Sequence, residues 1–256
     1  MPYHNSFERL RSILADLRER CPWDKKQTIQ TLRPLTIEET FELADAIDQQ
    51  DWQGIKEELG DILLHIVFYA RLGTEAGQFT LEDVMEGVCN KLVARHPHIY
   101  GSAEAQTDDD VKRNWEALKL KEGKKGILSG VPKSAPALPK ATRIQEKARQ
   151  AGFDWERADD VRAKVAEELR ELDEAVASGE KAAMQDEMGD LLFSIVNYAR
   201  FLDIDPETAL ESTNRKFRSR FETMEELATE AGTPLPGPSL AALDLLWERA
   251  KERERK

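Results

Sequence analysis

The feature that most restricts this chain is that it repeats itself. Glu38-Glu39-Thr40-Phe41-Glu42 matches Glu167-Glu168-Leu169-Arg170-Glu171 at an offset of 129 residues, and Glu58-Leu59-Gly60-Asp61 matches Glu187-Met188-Gly189-Asp190 at the same offset. The segments from Gly60 to Arg71 and from Gly189 to Arg200 then stay in register without a gap. Further on, Lys91-Leu92-Val93-Ala94-Arg95 parallels Lys216-Phe217-Arg218-Ser219-Arg220, and Trp115-Glu116-Ala117-Leu118-Lys119 parallels Trp247-Glu248-Arg249-Ala250-Lys251. Features that recur in one order mark a duplicated domain.

Helical periodicity dominates both copies, and no run alternates in the manner of a strand. The expected fold class is therefore all-α, with two duplicated helical-bundle domains. Between them, Gly123 to Pro139 holds three Gly, three Pro and two Ser among several Lys, which reads as a linker. The expected division is 1–122, a linker over 123–140, and 141–256. Gly232 to Pro238 is a second break, after which Ser239 is expected to cap a final helix.

With 34% charged residues, the helices suit one solvated face each. The net charge of −12 repels a phosphate backbone, which makes nucleic acid a poor partner. Cys21 and Cys89 offer neither metal spacing nor a disulfide framework, so a reducing cytoplasm is expected. The apolar runs near Ile62–Ala70 and Leu191–Ala199 are too short to span a bilayer, and no membrane association is expected.

The repeated acidic residues carry the chemistry. Residues three apart are neighbours on a helix face, so Glu168 and Glu171 project together, as do Glu187 and Asp190. In the first of these helices Val165, Leu169, Leu172 and Val176 form the expected apolar stripe, with Glu168 at its edge. If the two helices pair antiparallel through their stripes, four carboxylates converge. Four close anions repel one another, and a hard divalent cation removes that penalty while leaving coordination free for phosphate oxygens. A lone Glu-x-x-Glu in a charged helix is ordinarily a solvated face. Here the pattern is followed in both copies by Glu-x-x-Asp, with sixteen positions separating Glu42 from Glu58 and Glu171 from Glu187. Solvated charges would be free to scatter between copies, and these have not.

Lys216 and Arg220 lie four apart on one expected helix face and suit phosphate oxygens, although such pairs also occur as plain surface charge. Trp247 could stack on a base or, beside Leu245 and Leu246, serve the core. His65 sits in an apolar run and is expected to be a satisfied core histidine. His96 and His98 flank Pro97 without the arrangement of a zinc site. Neither a nucleophile elbow nor a phosphate-binding glycine loop is present.

These residues resemble the MazG family of nucleotide pyrophosphohydrolases, whose signature is Glu-Glu-x-x-Glu followed by Glu-x-x-Asp. The resemblance covers nearly the whole chain and includes Cys21-Pro22-Trp23-Asp24 with Gln27-Thr28, and Arg95-His96-Pro97-His98. It implies a homodimer that cleaves nucleoside triphosphates such as ATP between the α and β phosphates, using Mg²⁺ or Mn²⁺ in its place. Carried over by position, the metal ligands and catalytic residues would be Glu168, Glu171, Glu187 and Asp190. Lys164, Lys216, Arg220 and Trp247 would contact substrate. In the first copy Glu39, Glu42, Glu58 and Asp61 match the ligand pattern, with Lys91 and Arg95 in the phosphate positions. Neither metal motif departs from the family pattern, and resemblance alone favours the C-terminal site as the main one.

Two other classes compete. A non-catalytic module would bind a nucleotide, or dock a partner, and release it intact. A di-iron bundle would need inward Glu-x-x-His pairs, whereas Asp61 and Asp190 stand where those histidines would be. Among enzymes, an all-α dUTPase or phosphoribosyl-ATP pyrophosphohydrolase would share the metal chemistry, but the duplication and Cys-Pro-Trp-Asp favour MazG.

Overall fold

The computed structural model describes residues 5–102, 107, 111, 126–237 and 239–254, and these are all-helical, without strands. Trp115 to Lys119, one arm of the repeat, lies outside them. The chain divides into two compact units, Met1–Val111 and Lys112–Lys256.

In the first unit the helices are α1 (Ser6–Arg20), α2 (Ile29–Asp48), α3 (Trp52–Glu75), α4 (Leu81–Arg95) and the single turn α5 (Pro97–Tyr100). Their starts are written in the caps. Asn5 Oδ1 accepts from the Glu8 amide at 2.8 Å, while Thr28 with Thr31, and Thr80 with Asp83, form reciprocal capping boxes. Pro97 ends one helix and begins the next, where its missing N–H costs nothing. The Cys-Pro-Trp-Asp segment leads into a turn of 3₁₀-helix at Asp24–Lys26. Arg18 holds that turn by donating to the carbonyls of Asp24 and Gln27. The core joins Leu14 of α1, Leu32 of α2, Val67 and Phe68 of α3, and Leu81 of α4.

The second unit contains α6 (Ala137–Gln150), α7 (Ala158–Ser178), α8 (Lys181–Phe201), α9 (Pro206–Glu230) and α10 (Leu240–Glu254). Helix α6 begins inside the stretch expected to be linker. Gly179 at φ 77° supplies the left-handed residue that ends α7 and turns the chain into α8. As expected, Ser239 caps α10, its Oγ accepting from the Ala242 amide at 3.4 Å.

Helices α7 and α8 start 129 residues after α2 and α3, whereas α9 starts 125 after α4. The difference arises because α8 is three residues shorter than α3 and its exit turn is one residue shorter. That accounts for the changed offset at Lys91 and Lys216. Matched positions are buried alike: Leu32 and Val161 are 1% and 0% exposed, and Val67 and Val196 are 4% and 1%.

The packed stripe of α7 differs from the expected one. Val161, Glu168, Leu172 and Ala175 face inward, with Glu168 buried in the stripe and not at its edge, while Leu169 and Val176 are exposed. The uncovered face is itself duplicated. Ile47, Leu59, Leu63 and Ile66 in one unit match Val176, Met188, Leu192 and Ile195 in the other, and all are between 40% and 56% exposed.

Candidate functional site

In the second unit α7 and α8 pack as an antiparallel pair. Of the four carboxylates expected to converge, three form one set: oxygens of Glu168, Glu171 and Glu187 lie within 4.8 Å of one another. Two oxygens on opposite sides of one Mg²⁺, each at about 2.1 Å, would be about 4.2 Å apart, so the set fits a hard cation with small side-chain adjustment. Asp190 follows one turn after Glu187, is exposed, and lines a cavity together with Glu168 and Lys164. Glu168 is 6% exposed and accepts an ion pair from Lys164 Nζ at 2.6 Å; Glu167 accepts from the same ammonium at 2.9 Å. These hydrogen bonds push the Lys164 pKa up, keeping it a cation. Partial desolvation, then the charge of Glu168, raises the Glu171 pKa against the opposing pull of Lys164.

The first unit repeats the cluster with differences. Oxygens of Glu39, Glu58 and Asp61 lie within 4.8 Å of one another, a set that does not include Glu42. Position 35, which matches Lys164, is Leu35, packed against the core. The pKa values of Glu39, Glu42 and Glu58 are all raised. Desolvation is the largest cause in each case, and the like charge of the neighbouring carboxylates adds to it. The Glu58 Oε2 atom is buried without a partner.

Lys216 is exposed on α9, and Arg220 pairs with Glu254 of α10 at 2.7 Å. Trp247 packs on the core formed by Met224, Leu227, Ala228, Leu246 and Ala250, with its ring 5.1 Å from that of Phe217. Its core reading therefore has direct support. Lys91 is exposed on α4, and Arg95 is half-buried at its end. His65 is buried as expected, but its Nδ1 has no partner and burial lowers its pKa, so it is not the satisfied histidine anticipated. The rings of His96 and His98 lie 5.6 Å apart, and His96 Nδ1 is engaged with the Leu92 carbonyl.

A cavity of about 330 Å³ opens beside the second cluster, walled by α6, α7, α8 and the Phe153–Trp155 loop. Glu168 and Asp190 are among its lining residues, as are Gln145, Ser194 and Asn197. Gln145, 6% exposed, donates through Nε2 to the Phe193 carbonyl at 2.8 Å, while its Oε1 is buried without a partner. Such an orphan acceptor costs about 1–3 kcal/mol. Asn197 Oδ1 accepts twice from Arg200, which also grips Asp154 through both carboxylate oxygens. None of these polar residues was singled out from sequence. Comparing the copies position by position would have found two of them, because Ser194 and Asn197 stand where His65 and Phe68 stand in the first unit.

The Arg200–Asp154 pair is nearly enclosed, with side chains 12% and 18% exposed. Asp154→Ala would leave the guanidinium buried without its anion and is expected to destabilise the protein by about 3 kcal/mol. A urea midpoint that stays at the parental value would contradict this.

The model of the MazG nucleotide pyrophosphohydrolase domain matches the chain twice, over residues 27–100 and 157–224, which brackets both carboxylate clusters. A nucleoside triphosphate pyrophosphohydrolase/pyrophosphatase MazG of Thermotoga maritima is 46% identical over 250 residues, covering 96% of this chain and 95% of that protein. A nucleoside triphosphate pyrophosphohydrolase of Escherichia coli K12 is 38% identical over 259 residues, covering 98% of each. The uncharacterized protein YabN of Bacillus subtilis is 45% identical over 260 residues, which is 99% of this chain and 53% of YabN. With the domain matched in both halves and two such relatives aligned end to end, this chain belongs to the MazG nucleotide pyrophosphohydrolase family.

Proposed function

We propose that the protein hydrolyses nucleoside triphosphates between the α and β phosphates, giving a nucleoside monophosphate and pyrophosphate, and that the second unit does most of the work. The observation that carries this reading is the convergence of Glu168, Glu171 and Glu187 on one point beside the Lys164 cation. Glu168, Glu171, Glu187 and Asp190 would hold Mg²⁺ or Mn²⁺. The bound ion supplies neutralisation of the triphosphate and activation of water. Lys164, already a cation at the edge of the cluster, orients phosphate oxygens, and Lys216 and Arg220 are read as further phosphate contacts, with Trp247 behind them. One of the glutamates orients the attacking water and takes its proton. Leu35 cannot act as Lys164 does, so the first cluster is read as a cation site with little turnover of its own. A metal titration tests this. Cleavage should vanish in EDTA and return with Mg²⁺ or Mn²⁺; turnover indifferent to EDTA would refute it.

The same clusters imply a pH signature. Glu39, Glu42, Glu58 and Glu171 have pKa values raised above the ordinary 4.5. The folded state thus binds these protons more tightly than the unfolded chain. Their favourable contribution is complete below about pH 4.5 and is lost as pH rises through the raised values. Metal-free protein should therefore lose stability on that rise, and Mg²⁺ should restore it above the raised values but not below. A melting temperature shifted equally by Mg²⁺ at pH 4 and pH 8 would contradict the assignment.

The working form is proposed to be a homodimer. The support is the uncovered apolar face that both units carry, a kind of surface that soluble proteins ordinarily bury. A net charge of −12 argues against nucleic acid as a partner. Among the described residues no helix is long and apolar enough to cross a membrane. A cytoplasmic setting would suit the free thiols of Cys21 and Cys89.

A further inference from the structure

The geometry points to the cavity between α6, α7, α8 and the Phe153–Trp155 loop as the nucleobase pocket of the second unit, with Gln145 and Asn197 contacting the edge of the base. This inference rests on the triphosphate reading of the adjacent carboxylates and assigns the other end of the same substrate. Glu168 and Asp190 line the cavity, so a nucleotide whose phosphates lie on that cluster has this space beside it. At about 330 Å³ it falls at the small end of ligand pockets, a size suited to a heteroaromatic ring.

Its polar groups are arranged for an edge that both gives and accepts hydrogen bonds. Gln145 Nε2 is committed to the Phe193 carbonyl, which sets the orientation of the amide and leaves Oε1 as a buried acceptor with no partner. Asn197 is 4% exposed, and its Oδ1 is taken by two donors from Arg200, which leaves the Nδ2 amide as the donor. Nucleobases present an N–H donor next to an acceptor on the edge that pairs, so this couple meets a base better than it meets a sugar or an alkyl chain. Aromatic surface is present as well: Phe153, Trp155 and Phe193 line the cavity and are 79%, 42% and 42% exposed. Exposed aromatic faces beside a polar edge-reader are what stacking requires.

The duplication supplies an internal control. At the matched positions the first unit has Phe68 in place of Asn197 and His65 in place of Ser194. Phe68 is 2% exposed and packs with Leu14, Leu32 and Val67 in a closed apolar core. The same scaffold is thus plugged with hydrocarbon in one copy and opened around amides in the other. A packing requirement alone does not call for a buried carboxamide with an unused oxygen, whereas a ligand N–H does.

The test compares wild type with Gln145→Leu and Trp155→Ala, measuring KM and kcat for ATP, CTP, GTP and UTP. Inhibition by inorganic tripolyphosphate with Mg²⁺ reads the phosphate end alone. Gln145→Leu removes a buried orphan acceptor at nearly constant volume, so it should fold, and exposed Trp155 gives a second, independent probe. The expected result is a rise of about tenfold in KM, unequal among the four bases, with the tripolyphosphate inhibition constant changed by less than about twofold. Unchanged KM for all four nucleotides in both variants would overturn the assignment. So would a parallel weakening of tripolyphosphate, which would place the effect at the cluster. A wild-type protein that neither cleaves any nucleotide nor binds tripolyphosphate with Mg²⁺ would remove the triphosphate reading itself, and this pocket with it.

Discussion

Glu171→Ala is expected to lower triphosphate cleavage by about a thousandfold while leaving the metal-free protein as stable as the parent or more so. The two halves of that expectation have one cause. Glu171 lies with Glu168 and Glu187 in the three-oxygen cluster, and desolvation and the Glu168 charge raise its pKa. Without a cation, removing one of several crowded carboxylates relieves repulsion. With a cation, the same change removes a ligand, and an ion that contributes several kcal/mol to the transition state accounts for a thousandfold in rate. Rate measurements alongside melting curves with and without Mg²⁺ separate these effects. The Mg²⁺-dependent rise in melting temperature contributed by this site should shrink. A variant that keeps its rate, or that unfolds without metal, would not fit.

The second large effect concerns assembly. Leu192→Glu is expected to convert a dimer into single chains, read as a halving of mass by sedimentation or light scattering. Leu192 is 50% exposed within one chain and belongs to the face shared with Val176, Met188 and Ile195. In a two-fold interface the residue occurs twice, and burying each leucine contributes about 2 kcal/mol, so its loss raises the dissociation constant by about a thousandfold. The matched Leu63→Glu tests whether the first unit carries part of the same interface. Wild-type protein that sediments as one chain would dispose of the dimer and leave these faces without a partner.

How much of this was readable beforehand varies with the kind of signal. The carboxylate clusters were legible because a helix turns 3.6 residues into a face, and the Glu-x-x-Glu and Glu-x-x-Asp spacings recur in both copies. Helix α10 was legible from its break and its Ser239 cap. The division of apolar residues between core and uncovered face was not. Leu169, Leu172 and Val176 carry one periodicity, and which of them packs depends on neighbours that the periodicity does not name. Trp247 shows the same limit, since its position in the repeat cannot tell core packing on Phe217 from contact with substrate. Gln145 left no signal because a single glutamine in a charged helix is unremarkable until three other elements close around it. The contrast of Asn197 with Phe68 was present in the aligned copies, but identities draw the eye to what is kept, and here the informative positions are those that differ.

The most direct test of the central claim is product analysis of the purified protein with each nucleoside triphosphate and Mg²⁺, repeated for Asp190→Ala and Asp61→Ala. The account predicts monophosphate and pyrophosphate from the parent, abolished in Asp190→Ala and retained in Asp61→Ala. Release of orthophosphate and a diphosphate, activity lost only in Asp61→Ala, or tight binding without turnover would contradict it.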